Sequence, residues 1–378
     1  MDFASFHAQL HEIGATAEKQ VQAIQQNRFV PDELLDQLKD TGAFRLWVAK
    51  AYGGHQSHVL DLMQAVQILS YYNGSLGWIL GVTGTAALSS GYLPAAVAAQ
   101  IYGHPRALTG GWAAPAGKAK RVDGGILVHG KWSWGSGIRY CSHIVGGVML
   151  EQADGKGPLS AIAFFDPKDV RFIDNWDVLG LHGTNSIDYQ VESLFVPDGQ
   201  WMYFPVRKAQ IDATLYRFSF LGALSTGVAS VGLGLAKRAI DEIIQLSQQK
   251  IPNGARRLLS ERPVIHEKIA LLKARYASSK LFLEDSVRKN WKEAEKGSIS
   301  LKAKSELRLA STYAAQQACD IVSQAYKIGG GSSIWDGVKL QELLRDAHVV
   351  SQHGMVGLSN FEIAGRVAFD LKVNPWLL

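Results

Sequence analysis

Two short runs in the middle of the chain combine aromatic residues, glycines and side-chain hydroxyls. The first run, Val122–Gly137, reads VDGGILVHGKWSWGSG and contains Ser136 next to its end. The second run, Trp176–Ser186, reads WDVLGLHGTNS and ends with the polar side chains of Thr184, Asn185 and Ser186. A glycine-bounded aromatic strand of this kind is typical either of a sheet core or of a wall against a flat ring. In the second case a hydroxyl would be directed at a heteroatom of that ring.

A third run, Leu344–Gly354 (LRDAHVVSQHG), brings two histidines together near the end of the chain. His348 and His353 are five residues apart, so on a helix they would lie about 140° apart and share no face. This spacing argues against a two-histidine metal site, whose ligands are usually three or four residues apart, and we expect no metal. We expect His348 to be structural and the adjacent Arg345 and Asp346 to form a local ion pair.

The common nucleotide and hydrolase motifs do not fit the sequence. Gly232–Gly234 lies within a helical pattern that no strand precedes, so it does not indicate a dinucleotide site, and no Walker-type loop is present. Ser136 stands in Trp-Gly-Ser-Gly-Ile rather than in a Gly-x-Ser-x-Gly elbow, so a hydrolase triad is unsupported. Gly329–Ser333 is consistent with two interpretations, a helix C-cap with a loop or a backbone-rich turn near a phosphate.

Composition and charge argue against a nucleic-acid-binding protein and against a small protein built on disulfides. The 378 residues are 47% hydrophobic and 19% charged, which is enough apolar material for a sizeable core. The net charge of +5 comes without any long Lys/Arg run, so we expect small anionic ligands rather than nucleic acid. Cys141 and Cys319 provide neither a disulfide framework nor metal-ligand spacing. Five of the ten tryptophans lie in the middle quarter of the chain: Trp112, Trp132, Trp134, Trp176 and Trp201.

The most apolar stretch, Phe218–Ala236, has about the minimum length of a membrane span. It is rich in Gly, Ala and Ser, and Arg217, Lys237 and Arg238 bracket it, so we predict a helix buried in a bundle rather than a membrane segment. The first twenty residues mix acidic and basic side chains and predict no signal peptide. We therefore expect a cytoplasmic protein without a membrane association.

The periodicity divides the chain into three segments. Residues 1–104 are predicted to form an N-terminal helical domain, with helices that begin at Pro31 and cover Val59–Tyr72 and Leu76–Ile101. Residues 105–205 are predicted to form a small β domain, with strands at Ile126–His129, His143–Leu150, Ala161–Phe165 and Tyr189–Val196. Residues 206–378 are predicted to form a four-helix bundle from the segments Arg207–Gln249, Glu261–Lys296, Leu301–Ile328 and Leu340–Asp370. The fold class is α+β, and the long apolar helices favour a homo-oligomer.

This order of segments, together with the local motifs, resembles the acyl-CoA dehydrogenase superfamily over essentially the whole chain. Members carry a Pro/Gly segment like Ala113–Ala119 and a GGxxxxGxW strand pair like Gly124–Trp132. They also carry a WxxxGLxGTxS run followed by Val-Pro, like Trp176–Ser186 and Val196–Pro197, and an Arg-Asp-Ala run like Arg345–Ala347. The resemblance implies the same helical domain, β domain and helical bundle.

The superfamily contains two chemistries, and the residues discriminate between them. In the dehydrogenases a glutamate removes the α-proton of an acyl-CoA, commonly from a Tyr-Glu-Gly-Thr run after Arg-Asp-Ala. The corresponding positions here are His353 and Gly354. The alternative position of the base lies on the first long bundle helix, and Ala213–Ile240 contains no Asp or Glu. Both positions of the base are therefore empty, which removes a large catalytic contribution.

The motifs RDxHxxxxH and WxxxSG resemble instead the flavin-dependent oxygenase branch, which includes two-component aromatic hydroxylases and dibenzothiophene-type monooxygenases. In that branch the second histidine is catalytic and matches His353, and the serine lies near flavin N5 and matches Ser136. Many members carry a further histidine in the helix after a tryptophan like Trp78. Here that stretch, Gly81–Ala86, reads GVTGTA and has none.

The resemblance implies a monooxygenase that receives reduced flavin, FMN or FAD, from a separate NAD(P)H-flavin reductase. Reduced flavin and O₂ would give a C4a-hydroperoxyflavin that oxygenates a small aromatic or heterocyclic substrate. His353 would act as a base or hold the peroxide, and Ser136 would hydrogen-bond at N5. The implied cofactor contacts are Ser136, Trp134, Thr109, Thr184, Asn185 and Ser186. The implied substrate contacts are Trp78, Trp112 and His353.

Several points remain open at this level. Core packing explains Thr109 and Trp134 as well as a cofactor contact does. An FAD-dependent acyl-CoA dehydrogenase with its base elsewhere and a non-catalytic flavin-binding homologue are the alternative functions. We expect a homo-oligomer, by resemblance a homotetramer.

Overall fold

The computed structural model of the protein describes residues 2–152, 157–204, 208–374 and 378. In this part of the chain, the strands of a central sheet come between an N-terminal and a C-terminal group of helices. The helices are α1 Phe3–Lys19, α2 Val21–Asn27, α3 Asp32–Asp40, α4 Val59–Tyr72, α5 Gly74–Ala86, α6 Ala95–Tyr102, α7 Thr214–Arg217, α8 Phe220–Gln249, α9 Pro263–Glu295, α10 Leu301–Gly329, α11 Lys339–Ser351 and α12 Ser359–Ala368. The strands are β1 Thr109–Val122, β2 Gly125–Gly135, β3 His143–Leu150, β4 Leu159–Phe165, β5 Arg171–Ile173, β6 Ile187–Pro197 and β7 Trp201–Tyr203.

The N-terminal helices begin and end where local chemistry requires it. At the start of α4, Nδ1 of His58 accepts from the amide of Leu60, and Asp61 accepts from the amide of His58, which forms a reciprocal cap. The prediction of a helix over Val59–Tyr72 is confirmed. The single helix predicted over Leu76–Ile101 is wrong, because the chain forms α5, a short 3-10 turn and then α6. Pro94 precedes α6 and has no amide hydrogen with which to continue a helix.

The seven-stranded sheet has the order β5-β6-β2-β1-β3-β4-β7, with β1 and β3 parallel and the other neighbours antiparallel. The four predicted strands are confirmed as parts of β2, β3, β4 and β6. The prediction missed β1, whose pairing with β3 shifts register on both sides of Pro115. A proline cannot donate to the ladder, and the irregular pairing here accommodates it.

Trp132 of β2 is fully buried. Its indole stacks on the ring of Tyr189 with 5.2 Å between centroids, and its Nε1 donates to the carbonyl of Gly147 over 2.7 Å. A Cβ on any of three glycines would come within 2.8 Å of this indole: Gly117, Gly130 and Gly146. The glycine of the GxW motif therefore makes room for the tryptophan, so this part of the motif is structural.

The C-terminal bundle is built around α8, which packs most extensively against α10 and α4. Within the described residues α8 is the one helix long and apolar enough to cross a membrane, and 78% of its most apolar window is buried. It is therefore a buried helix of the bundle core, as predicted. Its predicted start, Arg207, lies outside the described residues, and the long helix begins at Phe220 after the short α7.

The last predicted helix, Leu340–Asp370, is wrong as a single element. The chain leaves the helix after Ser351 and forms α12 only from Ser359. This interruption carries His353 on its first turn, so the break decides where that side chain points.

Candidate functional site

A cavity of about 260 Å³ opens where α5, the end of β2, the run Trp176–Ser186 and the end of α11 meet. Its walls are aromatic and hydroxyl-bearing, and among the described residues no charged side chain lines it. The lining residues are Trp78, Trp112, Trp134, Ser136, Trp176, Leu181, Thr184, Ser186, Val349, Gln352, His353 and Gly354. Four indoles and a few hydroxyls form a pocket that suits a flat, polar-edged ring.

Three buried hydroxyls in this wall lie in one continuous series, which we call the hydroxyl chain: Ser136, Ser186 and Thr184. Oγ of Ser136 lies 2.7 Å from Oγ of Ser186, which lies 2.7 Å from Oγ1 of Thr184. At one end the indole Nε1 of Trp78 donates to Ser136 over 2.9 Å. At the other end Thr184 donates to the carbonyl of Leu181 over 2.9 Å. The series joins α5, β2 and the second motif run on the same side of the cavity.

The backbone at the end of β2 places Trp134 and Ser136 differently. Trp134 has φ 62°, a left-handed value that is unusual for a bulky residue, and its carbonyl accepts from the amide of Ser136 over 2.9 Å. Trp134 is 59% exposed and meets the ring of Trp112 edge-on at 5.3 Å. The amide of Gly137 donates to the carbonyl of Thr184 over 2.9 Å. The kink thus leaves Trp134 at the mouth of the cavity and Ser136 inside it.

The second motif run, Trp176–Ser186, is held by hydrogen bonds to both backbone groups of Leu181. Its amide donates to Oδ1 of the buried Asp346 on α11 over 2.6 Å, and its carbonyl accepts from Nε1 of Trp176 over 3.2 Å. The predicted ion pair between Arg345 and Asp346 is wrong, because the carboxylate of Asp346 accepts a hydrogen bond from the backbone amide of Leu181 instead. Burial raises the pKa of Asp346 to about 7, and the neighbouring Glu342 adds to the shift. Asp346 fixes this wall of the cavity to α11.

His353 lies in the break after α11, and its ring meets those of Trp78 and Trp112 edge-on at 5.4 and 6.5 Å. Its Nδ1 accepts from the amide of Met355 over 3.2 Å. Burial lowers the pKa of His353 to about 4, and the positive charge of Arg308 adds to the shift. The imidazole is therefore neutral near pH 7, and with Nδ1 accepting, the proton sits on Nε2. In this state His353 is a hydrogen-bond donor.

Arg308 of α10 holds the segment that follows His353. Its guanidinium donates to the carbonyl of Met355 over 2.9 Å and to Oδ1 of Asn360 over 2.7 Å. Burial lowers the pKa of Arg308 to about 10. This buried cation fixes the loop and disfavours a second positive charge on His353. Sequence reasoning missed it because a single arginine inside a helical pattern has no distinguishing signal.

The cavity collects most of the candidate side chains named from the sequence: Trp78, Trp112, Trp134, Ser136, Thr184, Ser186 and His353. Thr109 and Asn185 are not among the lining residues. The hydroxyl of Thr109 pairs with that of Tyr102 at 3.2 Å, and Asn185 shapes the turn with φ 45°. His348 lies 3.3 Å from the hydroxyl of Ser323 and is also absent from the lining.

Two further features of the sequence have structural outcomes. Gly329 ends α10, and a 3-10 turn over Gly330–Ser333 follows, so this segment does end the helix. The alternative interpretation, a turn near a phosphate, stays a prediction. Lys250 donates to the carbonyl of Gly329 over 2.6 Å at that end. Throughout the described ranges no group of three or more His, Cys, Asp or Glu side chains is arranged to hold a metal.

Two family models match the chain. The acyl-CoA dehydrogenase N-terminal domain matches residues 8–94, and the acyl-CoA dehydrogenase C-terminal domain matches residues 226–357. Together they cover more than half of the chain and lie on either side, in sequence, of the sheet whose strand β2 ends next to Ser136. This chain belongs to the acyl-CoA dehydrogenase superfamily.

Two relatives that match over most of the chain are named as a monooxygenase and as the oxygenase component of a hydroxylase. Indole-3-acetate monooxygenase from Pseudomonas putida is 28% identical over 93% of this chain and 90% of its own length. The oxygenase component of p-hydroxyphenylacetate 3-hydroxylase from Acinetobacter baumannii is 22% identical over 95% of this chain and 88% of its own. The structure of XiaF from Streptomyces sp. in complex with FADH2 and glycerol has a TM-score of 0.93 and 20% identity, covering 98% of this chain and 96% of that one. The last likeness shows that the fold is shared over nearly the whole length.

Among the described residues no Asp or Glu lines the cavity, so none of them offers a carboxylate base there. At Gly354, the position that the resemblance implies for the glutamate of a dehydrogenase, an added Cβ would meet no heavy atom within 4 Å. The base position is thus open space rather than a position filled by another side chain.

Proposed function

We propose that the protein is the oxygenase component of a flavin-dependent monooxygenase that uses reduced flavin and O₂ to oxygenate a small aromatic or heterocyclic substrate. The observation that carries this proposal is a cavity walled by four tryptophans, with Ser136 and a neutral His353 facing it and no carboxylate among its described lining residues. The oxygenase relatives support the same reaction class.

The residues present fit a flavin ring, either FMN or FAD. The indoles of Trp78, Trp112 and Trp134 offer apolar surface to a flat heterocycle, and the hydroxyls of Ser136 and Ser186 lie beside them. Bound reduced flavin supplies the reaction with O₂. The chain's part is to orient the ring through Ser136, to exclude water with the indole walls and to donate a hydrogen bond from Nε2 of His353.

The uncharged lining favours an uncharged substrate ring. No described lining residue supplies a cation for a carboxylate, and burial keeps His353 neutral because charging it in this environment is costly. Gln352 and His353 are the polar groups on the α11 side of the cavity, and they suit hydroxyl, ring-nitrogen or carbonyl groups on the substrate.

The reductant comes from a separate NAD(P)H-flavin reductase. Gly232 and Gly234 lie within the long helix α8 rather than at a strand–helix turn, so they form no dinucleotide loop. A homotetramer is the proposed assembly, and the chain leaves apolar surface for it: Ile334 and Trp335 are 61% and 68% exposed. The proposed location is the cytoplasm.

The test combines flavin binding with turnover. The protein is titrated anaerobically with reduced and oxidised FMN and FAD, then mixed with a flavin reductase, NADH, O₂ and a panel of phenols and indoles. Incorporation of one atom from ¹⁸O₂ into an aromatic product is the expected result. Bleaching of bound oxidised FAD by acyl-CoA, without any oxygenated product, would overturn the proposal in favour of a dehydrogenase.

A further inference from the structure

In the hydroxyl chain formed by Ser136, Ser186 and Thr184, each hydroxyl proton can donate to one acceptor only. Three short contacts need a proton each: Ser136 to Ser186, Ser186 to Thr184, and Thr184 to the carbonyl of Leu181. The three hydroxyls supply three protons. The carbonyl of Leu181 can only accept, so Thr184 donates to it, Ser186 donates to Thr184, and Ser136 donates to Ser186.

The two ends of the series fix this direction. The carbonyl of Leu181 accepts from three donors: the hydroxyl of Thr184, the amide of Thr184 at 3.1 Å and Nε1 of Trp176 at 3.2 Å. At the other end Nε1 of Trp78, which can only donate, takes one lone pair of Ser136. Ser136 thus has its proton and one lone pair in use. What remains towards the cavity is a single acceptor site.

We propose that the hydroxyl chain makes Ser136 an obligate hydrogen-bond acceptor towards the cavity, and that the site thereby selects reduced over oxidised flavin. This inference rests on the proposed function. Reduced flavin carries a hydrogen on N5, whereas N5 of the oxidised ring presents a lone pair. An acceptor facing the first makes a hydrogen bond, and an acceptor facing the second leaves two lone pairs opposed in a buried site. The preference for reduced flavin therefore originates at the carbonyl of Leu181. This carbonyl orients the hydroxyl of Thr184, which orients that of Ser186 and, through it, that of Ser136.

The experiment measures the ratio of the dissociation constants for oxidised and reduced FMN or FAD under anaerobic conditions, without turnover. Two variants free the proton of Ser136 without altering that residue: Ser186→Ala removes its acceptor, and Thr184→Val leaves the Ser186 hydroxyl to turn towards Ser136. Ser136 can then donate to oxidised N5. The ratio is expected to fall by about three- to tenfold in both variants, the value of one hydrogen bond.

Two matched variants separate proton direction from disturbance of the cavity. Trp78 lines the cavity, so Trp78→Phe is expected to weaken the binding of both flavin forms. Because this variant leaves the proton of Ser136 committed to Ser186, the ratio of the two dissociation constants is expected to stay within about twofold of the wild-type value. Thr226→Val removes a buried hydroxyl that donates within α8 to the carbonyl of Ala223. It controls for the loss of a buried threonine hydroxyl elsewhere, and its ratio is expected to be unchanged.

The outcomes distinguish this inference from the proposed function. If reduced flavin binds and the ratio is the same in wild type, Ser186→Ala and Thr184→Val, the hydroxyl chain does not set the preference and the inference is wrong, while the oxygenase proposal stands. A wild-type protein that binds both flavin forms equally also overturns the inference alone. A protein that binds neither form overturns both.

Discussion

The amide of Met355 donates to Nδ1 of His353 over 3.2 Å, and this contact sets the tautomer of the histidine. Arg308 holds the same segment by donating to the carbonyl of Met355 over 2.9 Å. With Nδ1 accepting and the ring neutral, Nε2 carries the proton. The resemblance implied two roles for His353, a base or a group that holds the peroxide. This geometry favours the second role, because Nε2 is a hydrogen-bond donor.

Replacing His353 by Gln and by Leu tests the donor role. Gln keeps an N–H donor in roughly the position of imidazole Nε2, whereas Leu keeps the bulk and removes the donor. We expect oxygenated product per reduced flavin to fall by about 100-fold in His353→Leu, the size of a lost electrostatic donor, and far less in His353→Gln. The measurement is product yield against uncoupled hydrogen peroxide in a coupled assay.

Reduced-flavin affinity serves as the control in that comparison, since both variants should retain it. If Gln and Leu abolish product equally while flavin binds normally, the histidine acts as a base after all, because neither side chain accepts a proton near pH 7.

The lowered pKa of His353 predicts a pH-dependent contribution to stability. The folded pKa is about 4 and the unfolded value is near 6.5, so the unfolded chain binds a proton that the folded protein refuses between these values. Stability is therefore full above pH 6.5 and is lost as the pH falls towards 4. Relative to His353→Gln, the wild type should lose up to about 3 kcal/mol over that range.

Denaturant unfolding of wild type and His353→Gln at a series of pH values measures this difference. Other buried histidines titrate in both proteins, so only the difference between the two curves reports on His353. A constant difference from pH 7 to pH 4 would show that the imidazole reaches solvent when it is protonated.

Sequence patterns predicted the elements whose signals are local. The helix Val59–Tyr72 and the strand His143–Leu150 have the predicted bounds, because hydrophobic period and caps decide both within the segment itself. The break after Ser351 was missed because what stabilises it is distant in sequence. The guanidinium of Arg308 and the side chain of Asn360 meet across that segment only in the folded bundle.

The site shows the same division. Ser136, Ser186 and His353 could be named as candidates because the local motifs around them resemble those of the oxygenase branch. The contacts around the site could not be predicted, since Trp78 reaches Ser136 from 58 residues away and Asp346 reaches Leu181 from 165 residues away. Such contacts depend on tertiary packing. The same holds for Thr109, whose hydroxyl lies 3.2 Å from that of Tyr102.

Trp132 is predicted to be a structural residue rather than a site residue. Its indole is fully buried in the slot beside Gly130 and donates to the carbonyl of Gly147. Trp132→Ala should lower the free energy of unfolding by about 3–5 kcal/mol, the usual cost of deleting a large core aromatic. Phe369→Leu, at a side chain that is 81% exposed, is the control and should change it by less than about 0.5 kcal/mol.

Chemical denaturation monitored by circular dichroism gives both values, and reduced-flavin titration of the folded Trp132→Ala protein separates the two roles. A variant of normal stability that fails to bind flavin would place Trp132 in the site and contradict the structural assignment.

The raised pKa of Asp346 predicts a pH trend of opposite sign to that of His353. Its folded pKa is about 7, against an ordinary value near 4, because burial and the nearby Glu342 disfavour the charge more than Lys339 and Arg345 favour it. Between pH 4 and 7 the folded protein takes up a proton that the unfolded chain does not hold, so this group costs stability as the pH rises. Asp346→Asn removes the titration and keeps an oxygen for the amide of Leu181. Its free energy of unfolding relative to wild type should therefore increase from pH 4 to pH 7 and level off above that, as measured by denaturant titration.

Asp346→Leu, which also removes the acceptor, should weaken reduced-flavin binding, because the wall that carries the hydroxyl chain loses its attachment to α11. A relative stability of Asp346→Asn that falls with rising pH would instead mean that Lys339 and Arg345 hold the carboxylate ionised.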